Sequence, residues 1–293
     1  DRRGDGPRVE LIAFPGETAW KGTGASCGGY GGTTGDLNIT RFTPADDPVG
    51  VPDFSADGIR KGLGGFGRLA GHEPGGVGGG RIRIDASSLV WGGYASVNGG
   101  DAQRPVPLGY NGGGGGGGGT GGTIHIDVSG MFSGNGRIES NGGGGTYGFD
   151  GSTTGSGGSG GRIRINYGTL GIWNGTVKAL GGVGGQFDTA SVPYYPRPIS
   201  PWIDVLNNGG PGTIYWKQIG GNGRILIDGQ GGPGGVGRVN GSYPVDTLEV
   251  RGALVVTNGL GLGGVKLTSG GILRADNPRI RLRWPPPPAY GVT

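Results

Sequence analysis

A cluster of glycines running straight into a short Ile-x-Ile segment, four times over, is the feature that most restricts what this chain can become. In the longest example eight consecutive glycines, Gly112 to Gly119, lead through Thr120-Gly121-Gly122 into Thr123-Ile124-His125-Ile126-Asp127. Glycine loses more conformational freedom on ordering than any other residue, whereas alternating isoleucines suit a strand. The juxtaposition recurs. Residues 79–100 read GGRIRIDASSLVWGGYASVNGG and residues 121–143 read GGTIHIDVSGMFSGNGRIESNGG. Residues 160–182 read GGRIRINYGTLGIWNGTVKALGG and residues 211–232 read PGTIYWKQIGGNGRILIDGQGG.

Each unit carries two apolar bursts of period two. The first is Ile82/Ile84, Ile124/Ile126, Ile163/Ile165 and Ile214/Trp216, at spacings of 42, 39 and 51 residues. The second is Val97, Ile138, Val177 and Ile225. The spacing differences fall after the second burst, where the polyglycine and the insert VPYYPRPISPW sit. Constant strands with connections of variable length mark a repeat protein whose units cannot bury their apolar faces alone. No segment has a convincing 3.6-residue period. The expectation is an all-β chain, a right-handed parallel β-helix (β-solenoid) with long Gly-rich loops and almost no helix. Ile-x-Ile strands of successive coils would stack about 4.8 Å apart, with isoleucines inward and residues 81, 83, 85 and their equivalents outward. The glycine clusters admit two readings: a second zone of extended, mutually hydrogen-bonded polyglycine segments, or flexible loops.

Residues 64–235 hold the Gly-rich repeats. Residues 236–284 have denser bursts (Leu248/Val250, Leu254/Val256, Val265/Leu267, Ile272/Leu273, Ile280/Leu282) and read as tighter C-terminal coils or a cap. Residues 1–63 read as an N-terminal cap or inter-subunit strand, with RVELIAF (8–14) the candidate strand. Residues 285–293 form a Pro-rich tail suited to polyproline II.

Composition narrows the class. The chain has 79 Gly and 20 Pro among 293 residues, a content that often signals disorder. Against that, 32% of residues are hydrophobic and they come in ordered bursts. Collagen is excluded because no Gly-X-Y period is sustained. A net charge of +4 with 16% charged residues is too dispersed for a nucleic-acid footprint, and no apolar run is long enough for membrane insertion. The single Cys27 excludes an internal disulfide framework. It reads as a small buried residue or as a thiol for intermolecular bonding. The chain begins at Asp1, without Met or a signal-like segment, as a processed chain or a piece of a longer one would.

The pattern GGSGGRIRI, followed by NGTVKALGG, resembles the glycine-rich β-helix repeats of large secreted and cell-surface proteins over roughly residues 64–235. The resemblance implies an extracellular or cell-surface, structural or adhesive setting and brings no catalytic residue with it. The expected function is that of an extracellular structural protein and not an enzyme. It would be a subunit of a surface filament, sheath or appendage that self-associates head to tail into a homopolymer. The alternative is a carbohydrate-binding adhesin or polysaccharide-processing β-helix with an extracellular glycan as partner.

Candidate residues follow from the repeat register. Arg81, Arg83, His125, Arg162, Arg164 and Tyr215 form two neighbouring columns, a solvated ion-paired face or a stripe for acidic glycan or a carboxylate-bearing neighbour, since guanidinium suits carboxylate. Asp85, Asp127 and Asn166 form an Asx column, either a strand-ending ladder or a Ca²⁺ site or catalytic carboxylate pair; Lys217 breaks it in the fourth unit. No other cofactor is expected, and no Cys/His spacing suits a metal. A Thr123/Thr213 ice-binding ladder is interrupted by Arg162. Asn38, Asn174 and Asn240 open Asn-x-Ser/Thr sequons and are candidate glycosylation sites. Val9, Leu11, Tyr194, Tyr195, Trp202 and Trp284 are candidate assembly contacts. Arg3-Gly4-Asp5 is a sequence that a Gly-rich chain produces by chance.

Overall fold

The computed structural model describes residues 75–103, 116–146, 153–185, 208–221, 223–229 and 247–257. It also describes residues 232 and 271 and the strands at 34–36, 39–43, 236–238, 261–262, 264–268, 272–275 and 281–282. These residues contain strands and no helix. In chain order the strands are β1 (Thr34–Asp36), β2 (Ile39–Thr43), β3 (Arg81–Ala86), β4 (Leu89–Trp91), β5 (Tyr94–Ser96), β6 (Thr123–Gly134), β7 (Arg137–Glu139), β8 (Thr153–Thr154), β9 (Arg162–Trp173) and β10 (Thr176–Lys178). They continue as β11 (Thr213–Gln218), β12 (Gly223–Asp228), β13 (Val236–Arg238), β14 (Thr247–Arg251), β15 (Leu254–Thr257), β16 (Gly261–Leu262), β17 (Gly264–Thr268), β18 (Ile272–Ala275) and β19 (Arg281–Leu282).

One long sheet organises the molecule. Its order is β17-β14-β12-β11-β9-β6-β3, with β4 beside the far end of β6. Ile82, Ile124, Ile163 and Ile214 are cross-strand partners, as are Ile84, Ile126, Ile165 and Trp216. A second sheet, β5-β7-β10, aligns Ala95, Ile138 and Val177. The core lies between these two sheets, where Ile124, Ile126, Ile163, Ile165, Phe132 and Ile138 are wholly buried. Phe132 stacks on Trp173 at 4.9 Å and meets Trp216 at 6.0 Å. Val97, expected in the second burst, is buried two residues beyond that column, which Ala95 occupies.

The expected right-handed parallel β-helix is not what forms. The long sheet is mixed: β12 runs antiparallel to β11, pairing Ile214 with Leu226 and Lys217 with Gly223. The reason lies in length. Ile214 and Ile225 are 11 residues apart, against 14 for Ile124–Ile138 and for Ile163–Val177. The fourth unit is too short to run a 12-residue strand like β6 or β9 and cross to the second sheet. Its chain turns back instead, with Gly220 at φ 73°, and its second burst joins the long sheet as a hairpin.

The hairpin also exchanges the faces. Directly opposed residues project to the same side of a sheet, and Ile225 opposes both Tyr215 and Leu248. The buried Ile225, Ile227, Leu248 and Val250 therefore lie on the side where β6 and β9 carry His125 and Arg164. On that side β13 packs closely, Gly237 lying against Ile227 and Pro211, as part of the sheet β13-β15-β18. Two small sheets thus cover opposite faces of the long one. The C-terminal bursts are strands: β14 and β17 extend the long sheet in parallel beyond β12, and β15 and β18 extend in parallel the sheet that begins with β13.

Among the described residues the glycine runs are not loops. They form a two-layer array. One layer holds the segments that lead into the Ile-x-Ile strands, 75–80, 116–122, 155–161 and 208–212. The other holds the segments that follow the second sheet, 97–102, 140–145 and 179–185. Within the first layer Gly76 donates to Gly117, Gly79 to Thr120, Gly118 to Ser156 and Gly121 to Ser159, at 2.8–3.0 Å. Between layers Gly119 donates to Gly100, Gly122 to Val97, Gly158 to Gly143 and Gly161 to Ser140, at 2.7–3.0 Å. Donors to the same neighbour are three residues apart, the period of a polyproline II-type helix, which has three residues per turn and no internal hydrogen bonds.

Packing explains why those positions are glycine. A Cβ at Gly119, Gly158 or Gly209 would fall on the carbonyl oxygen of Val77, Gly119 or Gly158, well inside van der Waals contact. Side chains recur at a spacing of three residues, as at Ser156 and Ser159 in the first layer and at Asn98 and Asp101 in the second. Val77 takes the place of Gly119, Gly158 and Gly209 in the first segment. That segment ends its layer, and Val77 is 52% exposed.

Candidate functional site

The polar face of the long sheet is built by strand alternation opposite the isoleucines. Arg83, His125, Arg164 and Tyr215 are cross-strand partners, as are Arg81, Thr123, Arg162 and Thr213, and as are Asp85, Asp127, Asn166 and Lys217. Exposure differs along the columns. Arg81, Arg83 and Asp85 on the terminal strand are exposed, while Thr123, His125, Arg162, Thr213 and Tyr215 are at most 3% exposed. Arg164 is mostly buried, its side chain 14% accessible. The six candidate ligand residues therefore share a face but meet solvent together only at the β3 edge.

Two of the four arginines on this face pair with its two aspartates. Arg83 donates through Nε and Nη2 to both oxygens of Asp85, at 2.7 and 3.1 Å. Arg164 and Asn166 both donate to Asp127 Oδ1, at 3.0 and 2.6 Å. The hydrogen bond from Arg83 holds the Asp85 carboxyl below its ordinary range. His125 has no hydrogen-bond partner at either ring nitrogen. Its burial, followed by the Arg164 charge, pushes its pKa down to about 4 against a partial opposing pull from Asp127. A buried imidazole there is neutral at physiological pH. The Asp85/Asp127/Asn166 column is thus a hydrogen-bonded ladder whose carboxylates face guanidinium groups. Among the described residues no three of His, Cys, Asp and Glu converge as a metal site would require.

Two further carboxylates are held the same way. Glu139 accepts from Tyr94 Oη at 3.0 Å and from Arg137, and the Arg137 guanidinium lies 5.3 Å from the Tyr94 ring centre. Burial alone would raise Glu139, but these bonds and the Arg137 charge outweigh it and hold the carboxyl low. Glu249 is buried among Arg251, Arg224 and Lys266, at 2.9, 3.6 and 3.3 Å. The bonds from Arg251 and Lys266 likewise outweigh its burial.

Asn174 is exposed at the turn between β9 and β10, its backbone N–H donating to Gly134 at 2.8 Å. Asn38, Asn240, Val9, Leu11, Tyr194, Tyr195, Trp202 and Trp284 lie outside the described residues, as do Cys27, the 8–14 segment and the Pro-rich tail. Sequence reasoning missed the side chains that stitch the array. Asn98 Oδ1 accepts from Asn141 N–H at 2.7 Å and Asn141 Oδ1 from Leu180 N–H at 2.9 Å. Asp101 accepts from Gly144 at 2.6 Å and Asn208 from Gly184 at 2.8 Å. The signal was present in the Asn-Gly-Gly triplets at 98–100 and 141–143.

Comparison of the chain with protein-family models, with curated proteins and with solved structures finds no match.

Proposed function

We propose that this chain is a structural subunit of an extracellular or cell-surface assembly, such as a filament, sheath or appendage, built with further copies of itself. The glycine array carries the reading. The chain commits its commonest residue to close-packed backbone, at positions where even a methyl group has no room. Such packing fixes shape and presents hardly any reactive side chains. The columns of the long sheet support the same reading, because their two carboxylates are already taken up by Arg83 and Arg164. A glycan-binding stripe along Arg83 and Arg164 is disfavoured, since His125 and Tyr215 within it are buried. The setting outside the cell rests on the resemblance of the repeats to those of secreted and surface proteins.

Negative-stain microscopy tests the proposal, on the purified chain and on native material labelled with an antibody to it. Ordered rods, sheets or filaments carrying the label are expected. Monodisperse single chains at high concentration, with no labelled polymer in native material, would overturn it.

A further inference from the structure

Two turns that join the long sheet to the second sheet repeat one another and differ at a single backbone amide. Asn135-Gly136 links β6 to β7, and Asn174-Gly175 links β9 to β10. Both asparagines are exposed. Both glycines are packed against a tryptophan, Gly136 on Trp91 and Gly175 on Trp173. The asparagine N–H groups are bonded alike, Asn135 to Trp91 O at 3.0 Å and Asn174 to Gly134 O at 2.8 Å. The glycine N–H groups are not. Gly136 donates to Trp91 O at 2.9 Å, whereas the Gly175 N–H has no acceptor among the described residues. The remaining described Asn-Gly steps are closed like the first. Gly99 donates to Asn141 O, Gly142 to Leu180 O and Gly209 to Gly182 O, at 2.8–2.9 Å. Asn98, Asn141 and Asn208 are also held by their side chains, each Oδ1 accepting a backbone N–H at 2.7–2.9 Å.

Among the described residues, then, Asn174-Gly175 alone joins an exposed carboxamide to an uncommitted glycine nitrogen. We propose that this step is a spontaneous modification site, where the folded chain converts asparagine to aspartate and isoaspartate. Gly175 N attacks Asn174 Cγ and forms the N–Cγ bond of a cyclic imide. The Cγ–Nδ2 bond breaks, and Nδ2 leaves as ammonia, taking up the Gly175 amide proton. Water then opens the ring. Attack at Cγ returns the ordinary main chain with aspartate at 174. Attack at the main-chain carbonyl carbon leaves the chain running through Cβ and Cγ, as isoaspartate. The sum is carboxamide plus water giving carboxylic acid plus ammonia, with nothing oxidised or reduced. Glycine carries no Cβ to crowd the attacking nitrogen. A glycine amide that already donates must first give up its bond, and each 1.4 kcal/mol of such opening slows the step about tenfold.

The isoaspartate product changes the fold locally. Asn174 N–H donates to Gly134 O at 2.8 Å and Thr176 N–H to Gly136 O at 3.0 Å, on either side of Gly175. A Cβ at Gly175 would already fall on Gly136 O and the Trp173 ring. An extra main-chain methylene in so tight a turn cannot keep both bonds, so the isomer loosens the joint between β9 and β10. The site depends neither on the extracellular setting nor on assembly.

Ageing the full chain in mildly alkaline buffer is the test. The chain is made in a host without N-glycosylation, because a glycan on Asn174 Nδ2 would block the loss of ammonia. Peptide mapping by mass spectrometry reads acid formation at each Asn-Gly step, and an isoaspartate methyltransferase reads the isomer. In the folded chain Asn174 should convert at least about tenfold faster than Asn98, Asn135, Asn141 and Asn208. In urea these rates should converge, since every step is then an unfolded Asn-Gly. Chains carrying isoaspartate at 174 should unfold at lower urea than Asn174→Asp, which has the charge without the methylene. Conversion of Asn135 as fast as Asn174, or none at Asn174 while the chain is folded, would overturn the site. A lead for Asn174 that persists undiminished in urea would place its cause outside the fold and overturn it equally. Equal urea midpoints for the isomer and Asn174→Asp would refute the loosened joint.

Discussion

A single methyl group separates tolerated from forbidden positions in this chain. At Gly158 an added Cβ meets the backbone of Gly118 and Gly119, which has nowhere to move, while at Gly80 it meets nothing within 4 Å. Gly158→Ala should cost at least about 3 kcal/mol, the upper part of the usual overpacking range. Gly80→Ala should be neutral or stabilise by roughly 0.4–1 kcal/mol through the unfolded chain. Urea unfolding midpoints of the two variants check the contrast, and equal losses would refute the array packing. His125 supplies the acid response. Its ordinary pKa of 6.5 drops to about 4 on folding, so between those values the unfolded chain binds more protons and stability falls as pH falls. The loss should reach on the order of 3 kcal/mol near pH 4. His125→Gln should flatten the stability profile between pH 6.5 and 4; an unaltered profile would mean that another group titrates there.

The β11–β12 hairpin is the element on which the architecture turns. Gly220 sits at φ 73°, where a β-branched residue is strained by roughly 1–3 kcal/mol. Gly220→Val should lower stability by that amount and Gly220→Asn by much less, read as shifts in thermal midpoint. The same element shows where sequence reasoning stopped. The Ile-x-Ile rows were legible because period two and recurring glycine fix register, and the observed partners Ile82, Ile124, Ile163 and Ile214 follow. The second burst of the fourth unit looked equivalent to Val177, yet Ile225 opposes Tyr215. Its three-residue shortfall against Ile163–Val177 was countable, but the consequence, exchange of the buried face, depends on which sheet the chain returns to. Burial of His125 and Arg162 was hidden for a related reason. Polar letters at alternate positions signal a solvated face only if nothing packs on it. The stitching by Asn98 and Asn141 needed the two-layer packing before an Asn-Gly-Gly triplet meant more than a turn.

At the scale of the whole molecule, array and sheet are one cooperative unit because every array segment is continuous with a strand. Residues 116–122 enter β6, 155–161 enter β9 and 208–212 enter β11, while 97–102, 140–145 and 179–185 leave β5, β7 and β10. Opening a glycine segment breaks bonds to both layers and pulls on a strand of the core. Flexible glycine connections would behave oppositely, since their amides would exchange with solvent while the strands stayed closed. Native-state hydrogen exchange separates these cases, because amides that open only with the whole molecule report the global unfolding free energy. The amides of Gly118, Gly119, Gly121, Gly122, Gly158 and Gly161, each donating to a neighbouring segment, should exchange about as slowly as those of Ile124 and Ile163. Added urea should accelerate both sets with the same slope. Glycine amides exchanging roughly a thousandfold faster than the strand amides would show the array to be dispensable to the fold. Matched rates would place the rigidity of the molecule in hydrogen-bonded glycine backbone as much as in its isoleucine core.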